Sequence, residues 1–500
     1  MQLLIVLSLA FLAAWLVYSM WRGRSDGKAP PGPPRLPIIG NMLQLGRNPH
    51  KSLAHLAETY GPLMSLKLGN QLAAVVSSPE LAKEVLHRQG RVFSKPFTPH
   101  AVCILGHDEV SMNMLPSSSE RWKKLRRVAR EQLFSNPALQ TSQEIRQERL
   151  RKLVEYISRC SGEGRAMNVG EAAFTTMTNL MFATLFSIDL VEYASTDTAS
   201  PKSKFREHVN AITRYMGVPN VADFFPILAP LDPQGMRRKL TYHLGSLLEL
   251  VQGLIEQRLQ ARKTASHRKK TDFLETLLDL SEGSGYELSL NEIKHMFVDL
   301  IIAGSDTSAA SSEWAMAELL LHPNKMAKLK AELKSVLGRK KMVEEADISQ
   351  LPYLHATIKE VFRYHPVAPM LAPHAAEEQT EVSGYIIPKN TKIFVNFWAI
   401  ARDPSIWKNP ESFEPERFLD SEIDFGGQHY ELIPFSSGRR ICPGMPLANR
   451  MLHCMVGTMC HYFDWELEKG AESKQLQRED VFGLALQKKI PLRATPIKVE

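Results

Sequence analysis

Residues 434–444 read Pro-Phe-Ser-Ser-Gly-Arg-Arg-Ile-Cys-Pro-Gly, and the rest of the chain is best interpreted outward from this stretch. Its single cysteine, Cys442, stands two residues after Arg440, directly before a Pro-Gly pair and seven residues after Phe435. The simplest interpretation is a buried free cysteine in a turn, because free cysteine is among the most buried residue types. The pattern Phe-x-x-Gly-x-Arg-x-Cys-x-Gly nevertheless fixes five positions in ten, which favours a chemical role for the sulfur.

The residue types around Cys442 fit an axial thiolate on a haem iron. A ligating thiolate must be kept as an anion, and donors from a tight loop tune it. Gly438 and Gly444 would let the backbone turn closely around the sulfur. Arg440 places a fixed cation where a haem propionate needs one, and Phe435 would shield the sulfur from water. A thiolate ligand pushes electron density onto the iron and favours cleavage of the O–O bond.

Composition restricts the class of protein. Of the 500 residues 44% are hydrophobic, which suits a globular protein with a large core. Lys and Arg outnumber Asp and Glu by 61 to 54, and no basic, aromatic-interleaved motif accompanies the excess. An acidic partner or an anionic membrane surface is therefore favoured over nucleic acid. The five cysteines are scattered and contain no C-x-x-C, which argues against a disulfide framework or a zinc site and favours a reducing setting. They are Cys103, Cys160, Cys442, Cys454 and Cys460.

An apolar run at the start of the chain predicts a membrane anchor at residues 1–21. Leu3 to Met20 is almost uninterrupted, and as a helix it would be about 27 Å long, close to the roughly 30 Å of a bilayer core. Basic residues follow this run and none precedes it, so the positive-inside rule places the N-terminus in the lumen and the remainder in the cytosol. The alternative is a cleaved signal peptide, which would need a basic start and a shorter apolar core.

Residues 22–41 are expected to form a basic, proline-rich hinge. Ala29 to Asn41 contains too many prolines to continue a helix and predicts a stiff, extended spacer. We expect a single catalytic domain at residues 42–500. Within it, apolar alternation at Leu63–Leu68 and Leu72–Val76, separated by Gly-Asn, predicts a hairpin.

Ser119 to Arg130 predicts a basic helix. Trp122 and Arg126 are four residues apart and therefore share one face of it. A solvated basic helix is one interpretation of this stretch. The other is that the pair contacts a bound group while the remaining cations form a docking surface for an acidic electron donor.

A long helix is predicted over Phe297 to Leu321, and polar residues interrupt its apolar pattern. Gly304 costs about 1 kcal/mol relative to alanine in a helix, and polar groups such as Asp306 and Thr307 must be satisfied when buried. Such violations usually mark function. Ala303 and Thr307 lie on one stripe, so a small residue and a hydroxyl would face the haem, with oxygen over the Ala303–Gly304 groove. Thr307 and Asp306 would deliver protons to it; the alternative is a kink caused by hydroxyl back-bonding.

Together these motifs resemble those of the cytochrome P450 monooxygenases over residues 30–500. Here the helix motif matches the family's Ala/Gly-Gly-x-Asp/Glu-Thr, and Glu360 and Arg363 match its Glu-x-x-Arg. The resemblance implies a mainly α fold, a helical triangular prism with a small β-rich lobe (α+β), preceded by one transmembrane helix. It implies that Glu360 and Arg363 join Arg417 in a buried triad that stabilises the core.

The resemblance also assigns binding residues. It implies that Trp122, Arg126 and His374 contact the propionates of haem b (iron protoporphyrin IX). It implies that the apolar segment Val218–Asp232 is a lid over the substrate channel that dips into the membrane; burial is the plainer interpretation of such a loop. The expected substrate-pocket residues are Ile302, Val367, Ala368, Met370, Leu371, Phe482 and Leu484.

Short stretches of the sequence narrow the resemblance to plant microsomal members that oxidise terpenoids. Among these, the chain most resembles mint-family enzymes acting on phenolic abietane diterpenes. The implied reaction inserts one oxygen atom of O₂ into a C–H bond of a small hydrophobic terpenoid at the endoplasmic reticulum membrane. NADPH would supply electrons through a separate NADPH-cytochrome P450 reductase. Three alternatives stay open at this point: a monoterpenoid (geraniol-type) hydroxylase, a haem-thiolate isomerase and a non-catalytic haem-binding protein.

Overall fold

Helices dominate the computed structural model, which describes residues 28–193, 201–264, 271–283, 287–340, 342–468 and 478–499. Short 3₁₀ turns and one π turn, at Glu84–Arg88, connect several of the helices. The α-helices are α1 (Met42–Leu45), α2 (Pro49–Tyr60), α3 (Pro79–Lys83), α4 (His107–Val110), α5 (Glu120–Gln132), α6 (Asn136–Thr141), α7 (Gln143–Gly162), α8 (Val169–Phe186), α9 (Pro201–Gly217), α10 (Val221–Phe224), α11 (Met236–Arg262), α12 (Phe273–Glu282), α13 (Leu290–Leu321), α14 (Pro323–Leu337), α15 (Pro352–Tyr364), α16 (Phe397–Ile400) and α17 (Met445–Tyr462).

The strands are short, and in the described parts of the chain they form four small sheets. The largest sheet has the order β1-β2-β8-β5-β3, with β2 parallel to β8 and the other pairs antiparallel. The strands are β1 (Leu63–Leu68), β2 (Gln71–Val76), β3 (Lys95–Pro96), β4 (Met167–Asn168), β5 (His374–Ala375), β6 (Thr380–Val382), β7 (Tyr385–Ile387), β8 (Lys392–Val395), β9 (Phe463–Leu467), β10 (Asp480–Val481), β11 (Gln487–Lys488) and β12 (Arg493–Lys498). The predicted mainly α fold with a small β-rich part is therefore present.

The hairpin predicted around Gly-Asn is β1 and β2, paired from Leu63↔Val76 to Leu68↔Gln71. Gly69 occupies the turn with φ +57°, a conformation that side chains rarely adopt. A Cβ there would lie 2.6 Å from the carbonyl oxygen of Phe224. The turn needs glycine because the segment around α10 passes directly over it.

The hinge packs on β1 as an extended chain. The Ser65 backbone N–H donates to the Pro31 carbonyl at 2.7 Å, and the Ser65 hydroxyl donates to that of Pro30 at 2.7 Å. The Asn41 side-chain amide donates to the carbonyl of Pro34 at 2.9 Å. The anchor expected at residues 1–21, and the first part of the hinge, lie outside the described residues. Within the described ranges, no helix combines the length and apolarity needed to span a bilayer.

Helix α13 forms the centre of the main hydrophobic core. A capping box starts it: the Ser289 hydroxyl accepts from the Glu292 backbone N–H, and the Glu292 carboxylate accepts from the Ser289 N–H. The helix packs most extensively on α8, which is buried along almost its whole length, and it also contacts α11 and α17. Each buried leucine or phenylalanine in such a core contributes about 1.5–3 kcal/mol. This packing holds residues 303–307 in a rigid frame.

Candidate active site

The cysteine loop joins a 3₁₀ turn, Gly438–Arg440, to the start of α17 at Met445. The Cys442 backbone N–H donates to the carbonyl of Phe435 at 2.9 Å, which closes the loop. Burial raises the pKa of the Cys442 thiol, while the backbone N–H of Gly444, the Arg126 guanidinium and the N–H of Met445 lower it. These are the donors that would stabilise a ligating thiolate.

Phe435 lies in an aromatic cluster beside the loop. Its ring meets Phe362 edge-on at 5.2 Å between centroids, and Phe425 at 5.8 Å. The ring is therefore held by packing from α15 and from the segment before the loop. This position suits the expected role of excluding water from the cysteine.

The two glycines of the loop differ in whether a side chain could be accommodated at their position. Gly438 has φ +67°, and a Cβ there would lie 2.1 Å from the Leu86 carbonyl oxygen, so only glycine fits. Gly444 has φ −80° and ψ 0°, which any residue can adopt, and a Cβ would meet nothing closer than 3.9 Å. The expectation that both glycines are needed for the turn therefore holds for Gly438 and fails for Gly444.

Cations gather around Trp122 next to the loop. The guanidinium carbons of Arg126 and Arg440 lie 5.8 and 5.4 Å from the Trp122 ring centroid. Arg440 donates to the carbonyls of Leu115 at 2.7 Å and Asn113 at 2.8 Å. Arg126 donates to the carbonyl beside Cys442, that of Ile441.

Burial lowers the pKa of Arg126, and burial together with Arg126 lowers that of Arg440 to about 10. No carboxylate of the described residues forms an ion pair with either guanidinium. Two half-buried cations without a counter-charge are costly unless a bound anion supplies one. The site therefore fits a group that carries carboxylates, as the propionates of haem do.

His374 lies on β5, where its Nδ1–H donates to the Phe93 carbonyl at 2.7 Å. Burial, with Arg440 nearby, lowers the pKa of His374 to about 4, so its ring is neutral at pH 7. With its proton on Nδ1, the neutral ring has only a lone pair on Nε2, so Nε2 donates to an ionised propionate only when the ring takes up a second proton.

Ala303 and Thr307 form an accessible stripe on a helix whose flanking residues are buried. The Thr307 hydroxyl donates to the Ala303 carbonyl at 2.7 Å. The back-bonding considered as an alternative is thus present, and α13 continues through it as helix. The stripe presents a methyl group and a hydroxyl oxygen side by side, as oxygen binding and proton relay require.

Gly304 and Asp306 point elsewhere. A Cβ on Gly304 would lie 2.8 Å from the sulfur of Met181, so this glycine admits α8 rather than widening the stripe. Both carboxylate oxygens of Asp306 accept from the Gln487 amide nitrogen, each at 2.8 Å. Sequence reasoning missed Gln487, since a glutamine in a short strand 181 residues away carries no local signal.

Glu360, Arg363 and Arg417 meet inside the protein. Arg363 donates to both oxygens of Glu360 at 2.7 and 2.8 Å, and both side chains are 0% exposed. Arg417, from the 3₁₀ turn Pro415–Phe418, donates to Glu360 at 3.2 Å. The three residues join α15 to the chain that precedes the cysteine loop.

The residues expected to line one substrate pocket pack in different parts of the structure. Ile302 is buried in the main core, and Leu371 lies there too, with φ +49°. Met370 and Phe482 instead pack with the β1–β2 hairpin, where Phe482 stacks on His50 at 5.5 Å. The expectation that these two residues line the pocket is therefore not supported by their packing.

Val367 and Ala368 are half-buried and lie three and four residues after the end of α15, while Leu484 is 44% exposed in the turn between β10 and β11. That turn touches α9, since the Leu484 N–H donates to the carbonyl of Thr213 at 3.0 Å. The apolar segment at 218–232 is exposed at its tip: Ile227 is 85% and Leu231 74% exposed. Burial, the plainer interpretation of this segment, is therefore wrong for both residues.

A second buried polar cluster was not anticipated from the sequence. The Ser111 hydroxyl lies 2.9 and 2.8 Å from the two carboxylate oxygens of Asp299, which is one helical turn before Ala303. His107 contacts Asp299 at 3.4 Å and His295 at 2.8 Å. This cluster ties α4 to α13. A sequence separation of 188 positions, from Ser111 to Asp299 and from His107 to His295, hides it from any local pattern.

Comparison with known proteins agrees with this geometry. The family model described as "Cytochrome P450" matches residues 30–492. The chain is 80% identical over 505 residues to carnosic acid synthase of Rosmarinus officinalis, and 74% identical over 507 residues to 11-hydroxysugiol 20-monooxygenase of Salvia miltiorrhiza. Both alignments cover 100% of both chains. It is 48% identical to ferruginol synthase of Salvia miltiorrhiza, with 98% of each chain covered.

Proposed function

Because the chain belongs to the cytochrome P450 family, we propose that it oxidises one carbon of a phenolic abietane-type diterpene in specialised plant metabolism. The observation that carries this proposal is the 80% identity, over the whole of both chains, to carnosic acid synthase. Other relatives also have names that denote oxidation or formation of such compounds: 11-hydroxysugiol 20-monooxygenase and ferruginol synthase. None of these three relatives is a geraniol-type hydroxylase, so we no longer favour that alternative.

The chain is a haem-thiolate monooxygenase, and its electrons come from NADPH through a reductase. Each turnover converts R–H, O₂, NADPH and a proton to R–OH, water and NADP⁺. The haem, when bound, supplies the redox chemistry that activates O₂. The relative named as a monooxygenase, 74% identical over the whole of both chains, thus sets aside the isomerase and the non-catalytic haem protein.

In this proposal the chain's own residues hold the cofactor and move protons. Cys442 would supply the sulfur ligand, Trp122, Arg126, His374 and Arg440 would hold the propionates, and Phe435 would exclude water from the sulfur. The Thr307 hydroxyl, held by the Ala303 carbonyl, would pass a proton from its Oγ1 towards the accessible stripe, with Asp306 as the acid behind it. The geometry of the accessible stripe and of the unpaired guanidiniums supports these roles.

We further infer successive oxidation at one carbon. One relative's name places a monooxygenation at carbon 20, and another relative forms an acid. Conversion of a methyl group to a carboxylic acid takes three oxygenations, through the alcohol and the aldehyde. If this chain acts in the same way, each product must stay bound or rebind in the same orientation.

Product analysis tests the substrate class. Microsomes containing the full-length protein and a plant NADPH-cytochrome P450 reductase are supplied with ferruginol, 11-hydroxysugiol or geraniol, and products are identified by mass spectrometry. We expect NADPH-dependent oxygen insertion into the diterpenes, with acid accumulating last. Cys442→Ser is the matched control for background oxidation. Turnover of geraniol alone would overturn the proposal.

The proton relay predicts a specific defect for Thr307→Ala. Loss of the hydroxyl should lower product formed per NADPH about ten-fold or more, with hydrogen peroxide in its place. Thr307→Ser keeps the hydroxyl and should retain most of the coupling. Equal coupling in the two variants would contradict the assigned role.

We propose that residues 1–21 anchor the catalytic domain, residues 42–500, on the endoplasmic reticulum through the hinge at 22–41. The apolar surface that would face the lipid joins the end of the hinge to the segment after α10. Its exposed members are Leu36, Ile38, Leu43, Ile227 and Leu231. Alkaline carbonate should leave the full chain in the microsomal pellet; complete extraction would contradict a spanning anchor.

The reductase would approach the basic face of α5. Lys123, Arg127 and Arg130 are exposed there, next to the Trp122–Arg126 pair. Positive charge on this face suits an acidic electron donor, and rising salt should weaken the interaction.

A further inference from the structure

The Asp306 carboxylate is oriented by one side chain from a distant part of the protein. Asp306 is only 5% exposed, and the Gln487 amide nitrogen lies 2.8 Å from each of its oxygens. A donor shared between both oxygens restricts rotation of the carboxylate. Thr307, the next residue, faces the accessible stripe, so the acid and the hydroxyl point in different directions.

Gln487 is itself held in place by the turn between β10 and β11. Gln487 pairs with Val481 across these strands, and the N–H of Leu486 donates to the Val367 carbonyl at 2.7 Å. On the other side, a Cβ at Gly217 would lie 2.0 Å from the Gly483 backbone, so α9 and the turn are in direct contact. Movement of α9 or of the segment after α15 would therefore move Gln487.

Several groups around Asp306 affect the protonation of its carboxyl group. Burial raises its pKa, and the Gln487 amide and the more distant Arg206 of α9 oppose that effect. Glu313, two turns further along α13, is half-buried, and desolvation raises its pKa. Its carboxylate accepts from the Leu492 N–H at 2.7 Å, and the nearby charge of Lys488 opposes the rise. Asp306 thus has an acidic neighbour on its own helix and cations on α9 and β11.

We propose that Gln487 is a positioning residue that holds the Asp306 carboxylate against β11 and away from the Thr307 hydroxyl, so that proton supply depends on the turn at residues 482–486. The inference rests on the proposed function, which makes Asp306 the acid behind Thr307. Release of Asp306 from Gln487 lets the carboxyl proton reach Thr307 Oγ1, and the carboxylate is then reprotonated from the side of Glu313. When proton delivery is not matched to oxygen activation, O₂, NADPH and a proton give hydrogen peroxide and NADP⁺ instead of product.

Gln487→Leu, a change of similar shape, tests the proposal. Loss of the amide removes a hydrogen bond that favours the charged carboxylate, so the pKa of Asp306 should rise further above its ordinary value. Infrared spectra of the full-length holoprotein over a pH series measure this shift. The band to follow is the protonated-carboxyl band that is absent from Asp306→Asn. With substrate, product per NADPH should fall and peroxide should rise. The reduced carbon monoxide spectrum verifies that each variant is folded.

The double variant shows whether Gln487 acts through Asp306. In the Asp306→Asn background, Gln487→Leu should cause no further loss of coupling. If Gln487→Leu does not fold, Gln487→Glu replaces it. In that variant two carboxyl groups share one proton, which should also raise the pKa of Asp306. Any of three results overturns the proposal. They are an unshifted band, no band assignable to Asp306, or an equal loss of coupling when Gln487→Leu is added to the Asp306→Asn background. The infrared arm needs no substrate, so it separates this failure from an incorrect terpenoid assignment.

Discussion

Glu360 is a fully buried carboxylate whose negative charge is matched by four donors. Arg363 contributes two N–H groups, Arg417 one, and the backbone N–H of Glu414 a fourth at 2.7 Å. Arg363 also donates to carbonyls of the chain before the cysteine loop, including Ala401 and Pro410 at 2.8 Å. A buried ion pair of this kind holds distant segments together, and its loss leaves a charge that water cannot reach.

At this scale we predict that Glu360→Gln lowers the free energy of unfolding by about 3–5 kcal/mol, because Arg363 is left buried without its counter-charge. Urea-induced unfolding, followed together with loss of the thiolate–iron absorption, measures the effect. Glu120→Gln is the control: its partner Lys123 is exposed, so the change should be under about 1 kcal/mol. A similarly small effect in both variants would refute the structural role of Glu360.

The cysteine loop is the element that depends most on backbone geometry. Gly438 is confined by its positive φ and by the Leu86 carbonyl of the π turn, whereas Gly444 begins α17 with ordinary helical angles. The motif contains both glycines, but only the first has a steric need for the missing side chain. The position of the loop therefore depends on its contact with residues 84–88.

For this element, Gly438→Ala should destabilise the protein by about 2 kcal/mol or more and weaken the thiolate–iron spectrum, since both φ and the 2.1 Å approach are violated. Gly444→Ala should leave stability unchanged or raise it by up to about 1 kcal/mol. Unfolding in urea and the reduced carbon monoxide spectrum distinguish the two variants. Equal damage from both would show that the motif glycines share one role.

On the scale of the whole molecule, Glu416 connects three parts of the fold. Lys325 and Lys328 of α14 reach its carboxylate at 3.1 and 2.6 Å, and the Tyr353 hydroxyl of α15 donates to it at 3.0 Å. Burial would raise the pKa of Glu416, but Lys328 and Lys325 outweigh it and lower the pKa to about 2. The charged carboxylate thus favours the folded state.

The depressed pKa predicts a pH-dependent contribution to stability. Glu416 stabilises the fold above its ordinary pKa of 4.5, and that contribution disappears as the pH falls towards 2. Glu416→Gln should therefore lower the melting temperature at pH 7, and the difference from the parent protein should narrow below pH 4.5. Glu381→Gln, at an exposed position of β6, is the control. A difference that stays constant with pH would exclude the charge as its cause.

Much of the site could be predicted from local spacing. The loop around Cys442 is recognised from one short pattern of residue types. The four-residue step from Ala303 to Thr307 and the three-residue step from Glu360 to Arg363 lie in helices, where helical geometry alone places each pair on a common face. These motifs were sufficient to indicate the family, and the resemblance to that family implied the mainly α fold. These features survive any rearrangement of the distant chain.

Tertiary structure alone decided which partners these residues meet. The Asp306–Gln487 contact, the Met181 sulfur against Gly304, the placement of Met370 beside the hairpin and the exposure of Ile227 all depend on segments far apart in the chain. No periodicity specifies such contacts, because they arise from the way whole helices and sheets pack. The sequence by itself therefore determined the family and its chemistry, while packing decided which distant side chains surround the residues expected to carry it.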